Sequence, residues 1–252
     1  MSVLQVTGLR KDFGGVRAVD DVSFGVAAGE LLALIGPNGA GKSTCFNMLN
    51  GQLRPDAGQV VLDGADITGL APRRVWRLGV GRTFQITATF ASMTVRENVQ
   101  MALLSHHRQV WRFWRRAGTL HAEAADALLE QVAMLDQAGR AAGVLAYGDL
   151  KRLELAVALA NAPRLLLMDE PTAGMAPAER VTLMRLTRAL SAKSGIAVLF
   201  TEHDMDVVFN VADRILVLNR GSLIAEGTGA QIRANAQVHE VYLGAGSTSG
   251  GH

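Results

Sequence analysis

Apolar residues in this chain fall into short runs separated by glycines. Alternating runs at residues 4–6 and 22–26, punctuated by Gly14, Gly15 and Gly29, predict short strands and turns. Residues 31–35 are continuously apolar, the pattern of a strand buried on both faces, and Gly36 to Gly41 follow at once. Residues 43–49 read as a helix closed by Gly51, and residues 59–62 as a strand entering an Asp63-Gly64 turn. From 90 to 160 long Ala- and Leu-rich stretches dominate, notably 120–135 and 150–160, and predict a helical insert. Buried strands return at 165–168, 197–201 and 215–218, with a helix over 178–192. This alternation predicts an α/β fold whose largely parallel sheet is covered on both faces. No internal repeat is visible, so 1–252 reads as a single domain, with a helical subdomain at about 90–160 and a small, polar, disordered tail at 245–252.

Composition narrows the picture without changing it. The 252 residues are 49% hydrophobic, enough for a sizeable core. A net charge of +2 does not argue for nucleic acid. The one cysteine, Cys45, excludes an intrachain disulfide, fits a reducing compartment, and reads as a small core residue. The N-terminus carries no apolar signal region. No run approaches the roughly 20 apolar residues of a membrane span, so work at a membrane would need other chains to supply the spans.

The chemistry is concentrated in three places. Gly36-Pro37-Asn38-Gly39-Ala40-Gly41-Lys42-Ser43 matches G-x-x-x-x-G-K-[ST] in full, with a strand before it and a helix after it. Glycines let backbone N–H groups wrap a polyphosphate, and the helix start adds its own. Lys42 would lie on the β- and γ-phosphates, and Ser43 would offer its hydroxyl to Mg²⁺. Thr44 either touches the α-phosphate or packs at the helix start. The second place is the apolar run ending in Asp169-Glu170-Pro171, which delivers two acids to the ligand-binding edge of a parallel sheet. Asp169 is the candidate to hold Mg²⁺ through water, and Glu170 the candidate general base. The third is His203, after another apolar run, where an imidazole would orient the attacking water.

With these residues in order, the chain resembles the ATP-binding subunits of ABC transporters over nearly its whole length. The resemblance rests on the phosphate loop, on Gln85 in Arg82-Thr83-Phe84-Gln85, on Asp169-Glu170-Pro171, on His203, and on Leu145-Ala146-Tyr147-Gly148-Asp149 where the family places its signature loop. It implies a P-loop NTPase (RecA-like) core with an N-terminal antiparallel β subdomain and a helical insert. It further implies ATP hydrolysis with Mg²⁺, Gln85 contacting the metal and the water, and Phe13 stacking on adenine. Subunits of this family pair head to tail, each phosphate loop facing the partner's signature loop.

The 93–99 segment, the 145–148 loop, Glu202-His203-Asp204-Met205 and the ending Val241-Tyr242-Leu243-Gly244 resemble one subgroup, the ATPases of branched-chain amino acid importers, and the extended insert resembles the longer of their two ATPases. The implied partners are a second ATPase, two permeases and, indirectly, an extracytoplasmic substrate-binding protein. No nucleic acid is implied, and the implied location is the cytoplasmic face of the inner membrane. Export, lipopolysaccharide transport, a non-transport ATPase acting on DNA or ribosomes, and a regulatory module with little turnover are the alternatives.

Two positions depart from the family pattern. The signature usually reads Leu-Ser-Gly-Gly-Gln; here Ala146, Tyr147 and Asp149 differ, and Asp149 brings a carboxylate toward a partner-bound γ-phosphate. Ala176 stands where many members carry an Asp. Both lie on the expected partner-facing half, so the expectation is asymmetric: normal hydrolysis on this chain's loop, and a weaker signature for the partner's ATP. Separately, residues 106–116 carry Trp111 and Trp114 three apart beside Arg108, Arg112, Arg115 and Arg116. That stretch reads as a solvated helix packed through its Trp face, as a dock for a permease or anionic lipid, or as a nucleic-acid contact.

Overall fold

The computed structural model describes residues 2–83, 89–108 and 120–243. Gln85, the Trp111–Trp114 stretch and the 245–252 tail lie outside them.

The chain opens with two long strands, β1 (Ser2–Phe13) and β2 (Val16–Ala27), paired antiparallel around the Gly14-Gly15 turn. β3 (Leu31–Ile35) leads through the glycine loop into α1 (Lys42–Leu49). β4 (Ala57–Leu62) and β5 (Ala65–Asp66) complete an antiparallel sheet in the order β2-β1-β4-β5. Next come α2 (Pro72–Arg77), β6 (Val80–Thr83), α3 (Val95–His106), α4 (Ala122–Gln131) and α5 (Tyr147–Leu159). The rest alternates: β7 (Leu165–Asp169), α6 (Pro177–Ser194), β8 (Ala197–Thr201), α7 (Met205–Val211), β9 (Arg214–Asn219), β10 (Ser222–Gly227), α8 (Gly229–Ala234) and α9 (Ala236–Leu243). The second sheet runs β10-β9-β3-β8-β7-β6, parallel throughout except for the antiparallel edge pair β9–β10.

Alternate residues of the central strands supply two cores. Leu31, Ala33 and Ile35, with Leu166, Met168, Val198 and Phe200, pack on the side of α3, α4, α5 and α6. Leu32 and Leu34, with Leu165, Leu167, Ala197 and Leu199, pack against α1 and the antiparallel sheet. Continuous apolar strands are thus the consequence of a sheet covered twice. Cys45 belongs to the second core, and burial pushes its thiol up to about 12.

The structure differs from expectation at several element bounds. The two N-terminal strands extend beyond their apolar centres, because their far ends pair in a sheet edge that is exposed to water. Helix α5 starts at Tyr147 rather than at 150, so Tyr147, Gly148 and Asp149 form its first turn. The stretch 120–135 is helical only over Ala122–Gln131. At the described end of α3, Trp76, His106, His107 and His121 form an aromatic row with successive ring centroids 5.5, 5.1 and 4.8 Å apart.

Candidate functional site

All three chemical segments meet at the carboxyl edge of the parallel sheet, where β3, β7 and β8 end side by side. The loop between β3 and α1 fits only because two positions lack a side chain. A Cβ on Gly36 would stand 2.3 Å from Leu218 O, and one on Gly41, at φ +103°, 2.3 Å from Ala18 O. The N–H of Gly221 donates to Ala40 O at 2.9 Å and pins the loop from below.

Lys42 begins α1 with its Nζ donating to Gly36 O at 2.7 Å and Pro37 O at 3.0 Å. Burial lowers its pKa, and Glu170 and Asp169 oppose the shift. Asn38, Gly39 and Ser43 face water. A cavity of about 190 Å³ is lined by Ala18, the loop from Asn38 to Thr44, Glu170 and His203.

Opposite the loop, β7 presents Asp169 and Glu170. The Thr201 hydroxyl donates to Asp169 Oδ1 at 2.8 Å, and Arg82 approaches Oδ2 at 3.5 Å. Burial lowers the Arg82 pKa, an effect that the Asp169 carboxylate opposes. Glu170 adopts φ +49°, a left-handed conformation that a non-glycine residue holds only where its surroundings impose it. Its N–H donates to Thr201 Oγ1 at 3.0 Å. His203 Nε2 lies 2.9 Å from Glu170 Oε1, with half of the imidazole side chain exposed.

Sequence reasoning named Lys42, Ser43, Thr44, Glu170 and His203, which line one cavity in the structure, and Asp169 beside it. It overlooked what holds them: Arg82, Thr201, and Glu202, whose carboxylate bonds Thr172. Only the proximity of residues about 30 to 90 positions apart reveals these contacts.

Phe13 ends β1, 48% exposed, with Lys11 Nζ 5.6 Å from its ring centroid. Ala146, Tyr147, Gly148 and Asp149 do not line the cavity. They sit at the start of α5 against the turn that follows Glu170, with the Tyr147 hydroxyl donating to Ala173 O at 3.1 Å. A Cβ on Gly148 would meet Glu179 Oε1 at 2.8 Å, and the other Glu179 oxygen accepts the Ala176 N–H at 3.2 Å. The Asp149 carboxylate accepts from Gln137 Nε2 at 3.1 Å and lies 3.6 Å from Arg152 Nη1.

The donor set suits a hard cation brought in by phosphate. Among the described residues no cluster of three or more His, Cys, Asp or Glu could hold a metal. Mg²⁺ bound with a nucleotide needs only one or two protein oxygens, and the Ser43 hydroxyl and Asp169 carboxylate are the residues that would provide them. With Thr201 and Arg82 already on its two oxygens, Asp169 is suited to act through a water. Among the described residues no helix is long and apolar enough to cross a membrane.

The chain is similar to known proteins over nearly its whole length. The family described as ABC transporter matches residues 19–173, and the family described as branched-chain amino acid ATP-binding cassette transporter matches residues 222–248. The chain is 40% identical to the high-affinity branched-chain amino acid transport ATP-binding protein BraF of Pseudomonas aeruginosa, covering 96% of this chain and 98% of the relative. LivG of Escherichia coli, which carries the same description, gives the same identity and coverage. The probable LivG of Methanocaldococcus jannaschii is 34% identical, over 97% of this chain and 98% of the relative. A nucleotide-free crystal structure of an ATP-binding cassette from an ABC transporter superposes with TM-score 0.85 at 34% identity, covering 96% of this chain and 99% of the other. A crystal structure of the ADP conformation of such a cassette gives 0.86 at 33%, covering 97% and 99%.

Proposed function

The chain belongs to the ATP-binding family of ABC transporters, and from that premise we propose that it is the ATPase subunit that powers an importer of branched-chain or related amino acids. The observation that carries the reading is the single cavity that joins the phosphate loop, Glu170 and His203. The identity to BraF and LivG over nearly the whole chain supports the substrate class. We treat 1–252 as one nucleotide-binding unit, with residues about 90–160 as its helical subdomain.

In this reading the loop from Gly36 to Gly41 wraps the ATP phosphates with backbone N–H groups. The Lys42 ammonium leaves the Gly36 and Pro37 carbonyls for the β- and γ-phosphate oxygens. Thr44 lies at the α-phosphate end, and Phe13 stacks on adenine. Mg²⁺ would neutralise charge on the β- and γ-phosphates, held by Ser43, by Asp169 through water, and by Gln85. Glu170 takes the proton of the attacking water, a role worth about 10²–10⁴-fold. His203 orients that water and the γ-phosphate while bonded to Glu170. The first turn of α5, from Ala146 to Asp149, serves the ATP of a second ATPase subunit. Two permeases receive the motion at the cytoplasmic face of the membrane, and an extracytoplasmic binding protein delivers the cargo.

The test is capture of tagged Glu170→Gln chain, with ATP, from detergent-solubilised host membranes. Two permeases and a second ATPase are the expected companions. Ribosomes or DNA-processing proteins without a permease would overturn the transport assignment and leave the ATPase chemistry standing.

A further inference from the structure

Glu202 is a buried carboxylate that the hydrolysis scheme does not use. It follows β8, precedes His203, and is 5% exposed. Its Oε1 accepts both donors of Thr172, the backbone N–H at 2.9 Å and the hydroxyl at 2.6 Å. Its Oε2 accepts the His203 N–H at 3.2 Å. Thr172 is itself 1% exposed and stands two residues beyond Glu170. An ionised carboxylate offers acceptors only, so it satisfies three donors at once, and such charge-assisted bonds are the stronger kind. A side-chain amide of the same size would turn a donor against one of those donors. The site therefore selects a carboxylate rather than any polar group.

A second strut joins the same two segments on the far side of His203. Arg180 Nε donates to Met175 O at 2.8 Å, and its Nη1 donates to Asp204 Oδ2 at 2.7 Å. Asp204 also caps α7, accepting the N–H groups of Asp206 and Val207 at 3.1 and 3.2 Å. The Arg180 guanidinium holds the Asp204 carboxyl below the usual carboxylate range. His203 is thus bracketed by Glu202 and Asp204, each tied to the turn that follows Glu170.

We propose that Glu202 is a positioning residue for hydrolysis: it locks the backbone of His203 to the turn carrying Thr172, so that the imidazole keeps its register with Glu170. The proposal rests on the assignment of Glu170 and His203 to hydrolysis. Glu202 acts through His203 and lies outside the phosphate loop. Its loss therefore slows turnover without weakening nucleotide binding.

Steady-state ATPase activity of the assembled transporter tests this with Glu202→Gln, Thr172→Val, Thr172→Ser and the Glu202→Gln/Thr172→Val double variant. Binding of trinitrophenyl-ATP to each full chain is measured alongside. Glu202→Gln and Thr172→Val should each lower kcat on the order of tenfold, the loss typical of a group that orients an active-site ligand. KM and nucleotide affinity should stay at wild-type values, while the thermal midpoint falls modestly because each change leaves a buried polar group without its partner. Thr172→Ser keeps the hydroxyl and should keep the rate. The double variant should be no slower than the slower single one, because both break one connection. The ¹⁵N imidazole resonance of His203 should move in both single variants. A wild-type kcat in Glu202→Gln, losses that multiply in the double variant, or a rate that falls together with affinity would overturn the proposal. Glu170→Gln serves as the separate control. Wild-type turnover in that variant refutes the underlying hydrolysis scheme, whereas an inactive Glu170→Gln beside an unaffected Glu202→Gln refutes only the role of Glu202.

Discussion

Asp149 occupies the position where most family members carry Gln, and its charge would oppose a γ-phosphate held by a partner. The structure gives that charge two partners of its own, Gln137 and Arg152, so the carboxylate is turned into its own chain. Both members of the Asp149–Arg152 pair are largely shielded, with side-chain exposures of 22% and 28%. Pairs of this kind contribute about 0.2–1 kcal/mol to stability, and Arg152→Gln leaves the Asp149 carboxylate without this cation. Arg152→Gln should therefore lower the ATPase activity of the assembled transporter, by no more than about fivefold, the factor equivalent to 1 kcal/mol. Asp149→Gln placed in the same chain should restore it, because the uncompensated charge is then gone. Unchanged activity in Arg152→Gln would mean that Asp149 does not face the partner's phosphates. The same reasoning changes the expected asymmetry of the two ATP sites: it depends on how well Arg152 screens Asp149, and not on the identity of residue 149 alone.

At the scale of elements, the clearest local device is the start of α3. The Thr94 hydroxyl accepts the Glu97 N–H at 3.2 Å, and the Glu97 carboxylate accepts the Thr94 N–H at 2.8 Å, a reciprocal capping box. Thr94→Ala should cost about 1 kcal/mol of stability, read as a lower thermal midpoint at neutral pH. Hydrogen bonds from the Thr94 N–H and hydroxyl hold the Glu97 carboxyl below its usual range. The folded value lies below the unfolded one, so this stabilisation is complete above the unfolded value of about 4.3 and is lost as pH falls through the folded value. The gap in midpoint between wild type and Glu97→Ala should therefore narrow in acid, and a constant gap would show that the bonds to Thr94 are not its source. The sequence reading did not single out this box, although such a box is legible in a sequence because all its parts lie within four residues. The phosphate loop and the Asp169-Glu170-Pro171 strand end were legible for the same reason, as were the doubly buried strands β3, β7 and β8. The start of α5 was not, because Ala146 has no polar group to mark an N-cap. β6 and β10 were missed as well. They are the two edges of the sheet, and their mixed residues follow neither a continuous nor an alternating pattern. The braces around the site were invisible because Thr201–Asp169 and Glu202–Thr172 join residues 32 and 30 positions apart.

At the scale of the whole molecule, the site is one-sided. Ser43, Asn38 and Gly39 face water, and half of the His203 side chain is exposed. A centre that cleaves a phosphoanhydride with one positioned water must exclude bulk solvent, and that requires a cover. The start of α5 and the turn before it are in the complementary condition: Tyr147 is 44% exposed and Val144 65%, without facing the cavity of their own chain. Two copies, or this chain and a related ATPase, would each close the other's site by facing phosphate loop to α5. Ala146 is exposed at the tip of that turn, and replacing it with Cys adds little bulk. The native Cys45 is fully buried with its thiol pushed up to about 12, so it will not compete for a thiol reagent in the folded chain. Ala146→Cys therefore makes a clean reporter. In a Glu170→Gln background, which should bind ATP without consuming it, maleimide labelling of residue 146 should slow severalfold when Mg–ATP is added. The slowing should vanish when Lys42→Ala is introduced, because closure depends on ATP held by the loop. A labelling rate indifferent to ATP would mean that this face is not the one a partner covers, and the second ATPase would have to be sought elsewhere on the molecule.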